Sequence, residues 1–201
     1  DWSLELKSIY DTFPKLKIYA SGSSALAIYR GTHDLSRRVL VKYMYGLSFR
    51  EFLCLKYEQT LVALELEEIL NNHVELARSI LQIIESQHFK ILPLFREYLQ
   101  YGYYPYFLEE ESTTEYLLLV EQHIHATLES DLASIFPSLT GHSIKKLKQL
   151  LSYIAGSVPF TPNWQKIKQA IGVSDDRTIK NYFKYLQDSM IITYLSQGTT
   201  K

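Results

Sequence analysis

From Ser48 to Ser157 the chain contains no segment with the two-residue alternation of a half-buried strand. More than half of the molecule must therefore fold as helices. The start of this region is marked by chemistry: Ser48 and Glu51 stand at capping-box spacing, with Leu47 and Phe52 placed as a hydrophobic staple. The spacing of apolar residues predicts helices over Phe49–Tyr57, Leu61–Leu70, His73–Ser86, Pro93–Tyr101, Thr114–His125 and Thr127–Phe136.

The segment before Ser48 reads differently. Leu4, Leu6, Ile9, Tyr10 and Phe13 lie near one face of a helix from Trp2 that Pro14 stops. Leu16–Ser21 predicts a short strand, Gly22-Ser23-Ser24 turns it into a helix through Tyr29, and Val39–Tyr45 predicts a second strand after a loop at Gly31–Ser36. Helix and strand in alternation are the rhythm of a parallel α/β sheet. At the other end, Ser143–Ala155 predicts a helix closed by Gly156. Thr161 and Pro162 open a second that Gly172 ends, and Ser174 caps a third. A short strand is expected at Ile191–Leu195. Three helices, a Gly-containing turn and a strand form a winged-helix pattern.

The 201 residues suffice for one large domain or two small ones. Apolar residues make up 46% and charged residues 21%, ordinary for a globular protein, and no apolar run nears the roughly 20 residues that span a bilayer. The single cysteine, Cys54, excludes an internal disulfide and fits a reducing cytoplasm; its place on a helix suggests packing. No secretory signal is visible. The net charge of −1 is unevenly spread. Residues 141–201 hold nine Lys and Arg against three Asp and Glu, a net +6, while Glu109–Asp131 holds seven acids and no Lys or Arg. Such asymmetry points to an anionic partner for the C-terminal part, or to attraction between the two parts.

A phosphate-binding loop needs Gly-x-x-x-x-Gly-Lys-Ser/Thr, because backbone N–H groups and a lysine must surround the phosphates. Neither it nor an acidic magnesium-binding strand is present. Gly22-Ser23-Ser24-Ala25-Leu26 lacks the last glycine of a hydrolase elbow; its serines either cap the helix or contact a phosphate. Arg37 and Arg38 form a pair able to clamp a phosphate, or solvated surface. His123 and His125 lack a third metal ligand. Tyr98–Phe107 is rich in aromatic rings that could stack on a base or fill a core, and Gly102 and Pro105 make a turn within it.

Ser21–Leu26, Asp34–Arg38, Gly46–Leu53, Tyr101–Pro105 and Asp175–Leu186, in that order, resemble a group of prokaryotic AAA-type ATPases related to the archaeal-ATPase and STAND lineage. The resemblance covers essentially the whole chain. It implies that a phosphate loop and magnesium strand precede this part, and that a further domain follows it. It implies that Ser23 or Ser24 senses the γ-phosphate, that Arg37 and Arg38 are arginine-finger candidates, and that Gly102 and Pro105 face the nucleotide from a helical lid. The Gly-Tyr-Tyr-Pro spacing departs from the Gly-x-Pro turn of the group. ATP and magnesium are then cofactors of the full-length parent, with neither expected to bind tightly to this segment alone.

The expected fold is mainly α: a remnant of an α/β nucleotide-binding domain at 1–47, a helical lid at 48–140 and a winged helix at 141–201. The leading function is a nucleotide-dependent switch segment of an ATPase in the cytoplasm. Its partners would be the phosphate-loop region and the C-terminal domain of the same parent, with no membrane. The alternatives are a non-catalytic DNA-binding module and a protein-interaction adaptor. For DNA, the third C-terminal helix turns Ile179, Phe183, Leu186 and Met190 inward and leaves Arg177, Lys180, Asn181 and Lys184 outward. Asp175 and Asp176, at the end that would enter a groove, oppose that reading. Without a phosphate loop, residues 1–201 alone should show no ATP turnover in a phosphate-release assay. Robust turnover that survives Arg37→Ala would overturn this.

Overall fold

The Ser48 hydroxyl accepts from the Glu51 N–H at 3.3 Å, and the Glu51 carboxylate accepts from the Ser48 N–H at 2.7 Å. This reciprocal pair starts the helix Phe49–Tyr57. The computed structural model describes residues 2–22, 35, 38–109, 112–157 and 160–195. In order these form α1 (Trp2–Thr12), α2 (Phe49–Tyr57), α3 (Leu66–Ser86), α4 (Ile91–Glu97) with a π-helical turn at Tyr98–Gly102, and a 3-10 turn at Pro105–Leu108. They continue with α5 (Thr113–Ala126), a π-helical turn at Thr127–Asp131, α6 (Leu132–Ile135), α7 (Gly141–Ala155), α8 (Trp164–Ile171) and α9 (Asp176–Asp188). The fold is mainly α. Two compact units divide the chain: residues 44–121, and residues 1–43 together with 122–201.

Among the described residues there is no strand. Leu16–Ser21 and Val39–Tyr45 were expected in a sheet but carry no ladder, and Tyr19, Leu40 and Met44 are almost fully exposed. A strand is stable only when neighbours take its N–H and C=O groups. Ile191–Leu195 is not a strand either: the N–H groups of Ile191 and Ile192 both turn back to the Leu186 carbonyl, at 3.0 and 3.3 Å. Those donors close the end of α9 instead of pairing with a wing.

The helices lie near their expected places, with shifted ends. The predicted break between Leu70 and His73 is a kink inside α3 at Asn72, whose φ of −130° and ψ of 24° are non-helical; the helix begins at Leu66, not Leu61. Asn163, not Thr161, caps α8, and Asp175, not Ser174, caps α9. In both cases the carboxylate or amide oxygen lies close enough to reach N–H groups two or three residues on. Gly172 takes the left-handed conformation, φ 61°, that ends α8.

One core joins Leu128, Leu132 and Ile135 to Leu147 and Leu150 of α7, Ile167 and Ile171 of α8, and the inner face of α9. The other, in the 44–121 unit, is built from Phe52, Leu53, Ile84 and Leu94. Phe52 is wholly buried, and its ring lies 5.1–6.4 Å from those of Tyr57, Tyr98, Tyr101 and Phe107. Phe52→Ala should destabilise this unit by about 3–5 kcal/mol. Urea unfolding followed by circular dichroism measures it; an unchanged midpoint would show that the aromatic cluster is not the core.

Candidate functional site

The expected nucleotide-sensing residues Ser23, Ser24 and Arg37 lie outside the described residues. Arg38 is described, and its guanidinium meets Asp11, near the end of α1, on two oxygens: Nε to Oδ1 at 2.8 Å and Nη2 to Oδ2 at 3.2 Å. The hydrogen bond from Arg38 and its charge hold the Asp11 carboxyl below the usual carboxylate range. Both side chains are partly exposed, so the pair positions the guanidinium more than it stabilises the fold. Cys54 is exposed, contrary to the packing role expected of it: α2 turns Phe52 and Leu53 inward and the next residue outward. His123 and His125 are exposed on α5, and His125 Nδ1 lies 2.9 Å from Lys148 Nζ. Among the described residues no three His, Cys, Asp or Glu side chains gather as metal ligands, and no helix is long and apolar enough to cross a membrane.

On α9 the inward and outward faces separate cleanly. Ile179, Tyr182, Phe183 and Leu186 are buried, and Arg177, Lys180, Asn181 and Lys184 are all exposed. Met190 does not extend the buried stripe, because it falls beyond the helix with a φ of 59°. Tyr182 was not foreseen as core, although its spacing of three from Ile179 placed it there. The two acids at the helix start are both occupied. The Asp175 carboxylate accepts from the N–H groups of Arg177 and Thr178 at 3.1 and 3.3 Å and from the Thr178 hydroxyl at 3.0 Å. Asp176 Oδ1 lies 2.5 Å from Lys168 Nζ.

In the 44–121 unit, two stretches distant in sequence are stitched together. The Leu47 N–H donates to the Tyr103 carbonyl at 2.8 Å, and the Tyr98 hydroxyl donates to the Leu47 carbonyl at 2.7 Å. A Cβ on Gly46 would strike the Tyr103 ring, and one on Gly102 would strike the Tyr98 and Phe52 rings. Gly102 is buried at this close approach, and Pro105 opens the 3-10 turn after it. The aromatic stretch Tyr98–Phe107 contributes Tyr98, Tyr101 and Phe107 to the core rather than offering its rings together to a base.

Beside this seam lies a charged group that sequence reasoning missed. Lys56 Nζ donates to Glu97 at 2.7 Å, 41 residues away, and sits 4.5 Å above the Tyr101 ring. The hydroxyls of Tyr57 and Tyr101 both donate to the same carboxylate. Burial pushes both phenols up, reinforced by their bonds to Glu97. Burial alone would raise the Glu97 carboxyl, but donation from Lys56, Tyr101 and Tyr57 outweighs it and holds the carboxyl below its ordinary range. With all donors converging on one carboxylate, the arrangement ties α2 to α4 and leaves the lysine little freedom for chemistry. A depressed folded-state pKa stabilises above the ordinary value of 4.5, and that stabilisation is lost as pH falls through the lower folded value. Glu97→Gln should therefore lose less of its melting temperature than the native chain between about pH 6 and pH 3. Parallel losses would show that this carboxylate carries no charge-dependent stability.

With this geometry in place, likeness to known proteins can be located on it. Residues 1–53, covering α1, Arg38 and the start of α2, match the model of an AAA domain, so the N-terminal quarter is related to AAA-type ATPases. Over 115 residues the chain is 36% identical to an uncharacterized protein of Methanocaldococcus jannaschii, a stretch that is 57% of this chain and 24% of that relative. The aligned part thus spans about a quarter of the relative's length. No solved structure matches. Residues 92–201, from α4 through α9 and more than half of the chain, match the domain of unknown function DUF8612, and the chain belongs to that family.

Proposed function

We propose that the chain is a switch segment of an ATP-driven AAA-type protein, with residues 1–47 belonging to its nucleotide domain, the helices that follow Ser48 to a lid, and the C-terminal helices, together with residues 128–135 that share their core, to a helix-turn-helix module. The match of residues 1–53 to an AAA domain carries this reading. The exposed apolar side chains of Tyr19, Leu40 and Met44 support it, since they suit strands that a larger sheet would pair and cover. In this reading the phosphate loop and magnesium ligands lie in another part of the same protein. The stitched seam of Gly46–Phe52 with Tyr98–Tyr103 then transmits the nucleotide state to the helices, because Leu47 lies within the AAA-like segment 1–53 and is bonded to Tyr98 and Tyr103 of the lid.

Arg37 and Arg38 are the groups through which this chain would act on ATP. A cation on the transferring phosphoryl group supplies roughly 10³-fold or more in rate. The Asp11 partner would hold Arg38 in place until the nucleotide competes for it. In the full-length protein with ATP and magnesium, Arg37→Ala and Arg38→Ala should lower kcat by a factor on the order of 10³ with little change in melting temperature. Undiminished turnover in both variants would return the arginines to the solvated surface. Absence of any turnover in the full-length protein would remove the ATPase reading itself.

A further inference from the structure

We infer that the outer face of α9 is a docking surface for duplex DNA, with Arg177, Lys180 and Lys184 on the phosphates and Asn181 toward a base edge. The inference does not rest on the ATPase reading. Ile179, Tyr182, Phe183 and Leu186 are buried in the core, which fixes the orientation of the helix, and its outward stripe is set by the 3.6-residue period. That stripe carries three cations and an amide at positions 177, 180, 181 and 184, all exposed. Among the described residues none of the three cations is held in an ion pair, so their charge is available to a partner.

The two acids at the helix start are engaged within the C-terminal helices. Asp175 is consumed as the cap of its own helix, and Asp176 is neutralised by Lys168 of α8. Asp175 stays ionised, with its oxygens turned to the N–H groups of its own helix and its charge set against the positive end of the helix dipole. The helix follows α8 through the short turn 172–175, in which Gly172 is left-handed, the connection found in helix-turn-helix units. Residues 141–201 carry a net +6, complementary to a phosphate backbone. DNA is favoured over duplex RNA because the major groove of B-form DNA admits a helix, whereas that of A-form RNA is too deep and narrow.

Three phosphate contacts predict that the logarithm of affinity falls with the logarithm of salt at a slope of about −2.7, roughly a 40-fold loss between 50 and 200 mM. The test is fluorescence anisotropy of a labelled mixed-sequence DNA duplex titrated with the full 201-residue chain across that salt range. Lys180→Glu/Lys184→Glu should abolish binding, and the milder Lys180→Gln/Lys184→Gln should weaken it and flatten the slope. Both should leave the circular-dichroism melting curve unchanged, since the side chains are exposed. Lys90→Glu/Arg96→Glu makes the same charge change on exposed residues of the 44–121 unit and should bind as the native chain does. The inference is overturned by no binding at 50 mM salt, by equal loss in the Lys90/Arg96 variant, or by tighter binding to an RNA duplex of the same sequence. It is likewise overturned if the face binds a peptide of Glu109–Asp131 in preference to DNA.

Discussion

Phe52 cannot be solvated without opening the 44–121 unit, and most of what that unit displays follows from this one burial. The ring meets four other aromatic rings at edge-on or tilted angles, which suits the negative face and positive edge of each π-system. To reach them it must pass close to backbone, and Gly102 supplies the space. The capping box at Ser48 fixes where α2 begins and therefore which way position 52 points. A local hydrogen-bond pattern at the surface thus decides the register of a core residue four positions later.

The Lys56–Glu97 group lies on the edge of that burial. A lysine and a glutamate partly withdrawn from water are costly unless their remaining donors and acceptors are met. Here the carboxylate takes the ammonium and two phenols, and the ammonium also faces an aromatic ring. The group is therefore satisfied from within, which suits a fastening between α2 and α4 better than a reactive centre. It lies beside the seam that joins Leu47 to Tyr98 and Tyr103. Rigidity at that seam is what a segment relaying a change from an AAA-like portion to a set of helices would need.

The C-terminal helices solve a different problem. Their core is aliphatic at the centre, with Phe183 flanked by Phe160, Trp164 and Tyr194. Apolar residues at the inward positions of α9 leave every outward position polar, so packing and charge are sorted by one helical period. The acids at its start satisfy a cap and a neighbouring lysine, which concentrates the free positive charge along the middle of the helix.

Much of the helical architecture was legible from sequence because its causes are local. The Ser48–Glu51 box, the glycine after Ile171 and the three-and-four spacing of apolar residues in α9 act within one or two turns of chain. What sequence could not decide were the relations that need a distant partner. Leu16–Ser21 and Val39–Tyr45 have the composition of strands, yet a strand exists only when another backbone takes its hydrogen bonds. Gly102 reads as a turn residue, and only packing shows that two rings leave no room for its side chain. Lys56 and Glu97 are ordinary charges 41 residues apart until α2 and α4 are brought together. Periodicity and capping set the helices and their faces; the pairing of faces, and hence which charges are buried and which remain open to a partner, belonged to the tertiary structure, because it depends on distances that chain spacing does not encode.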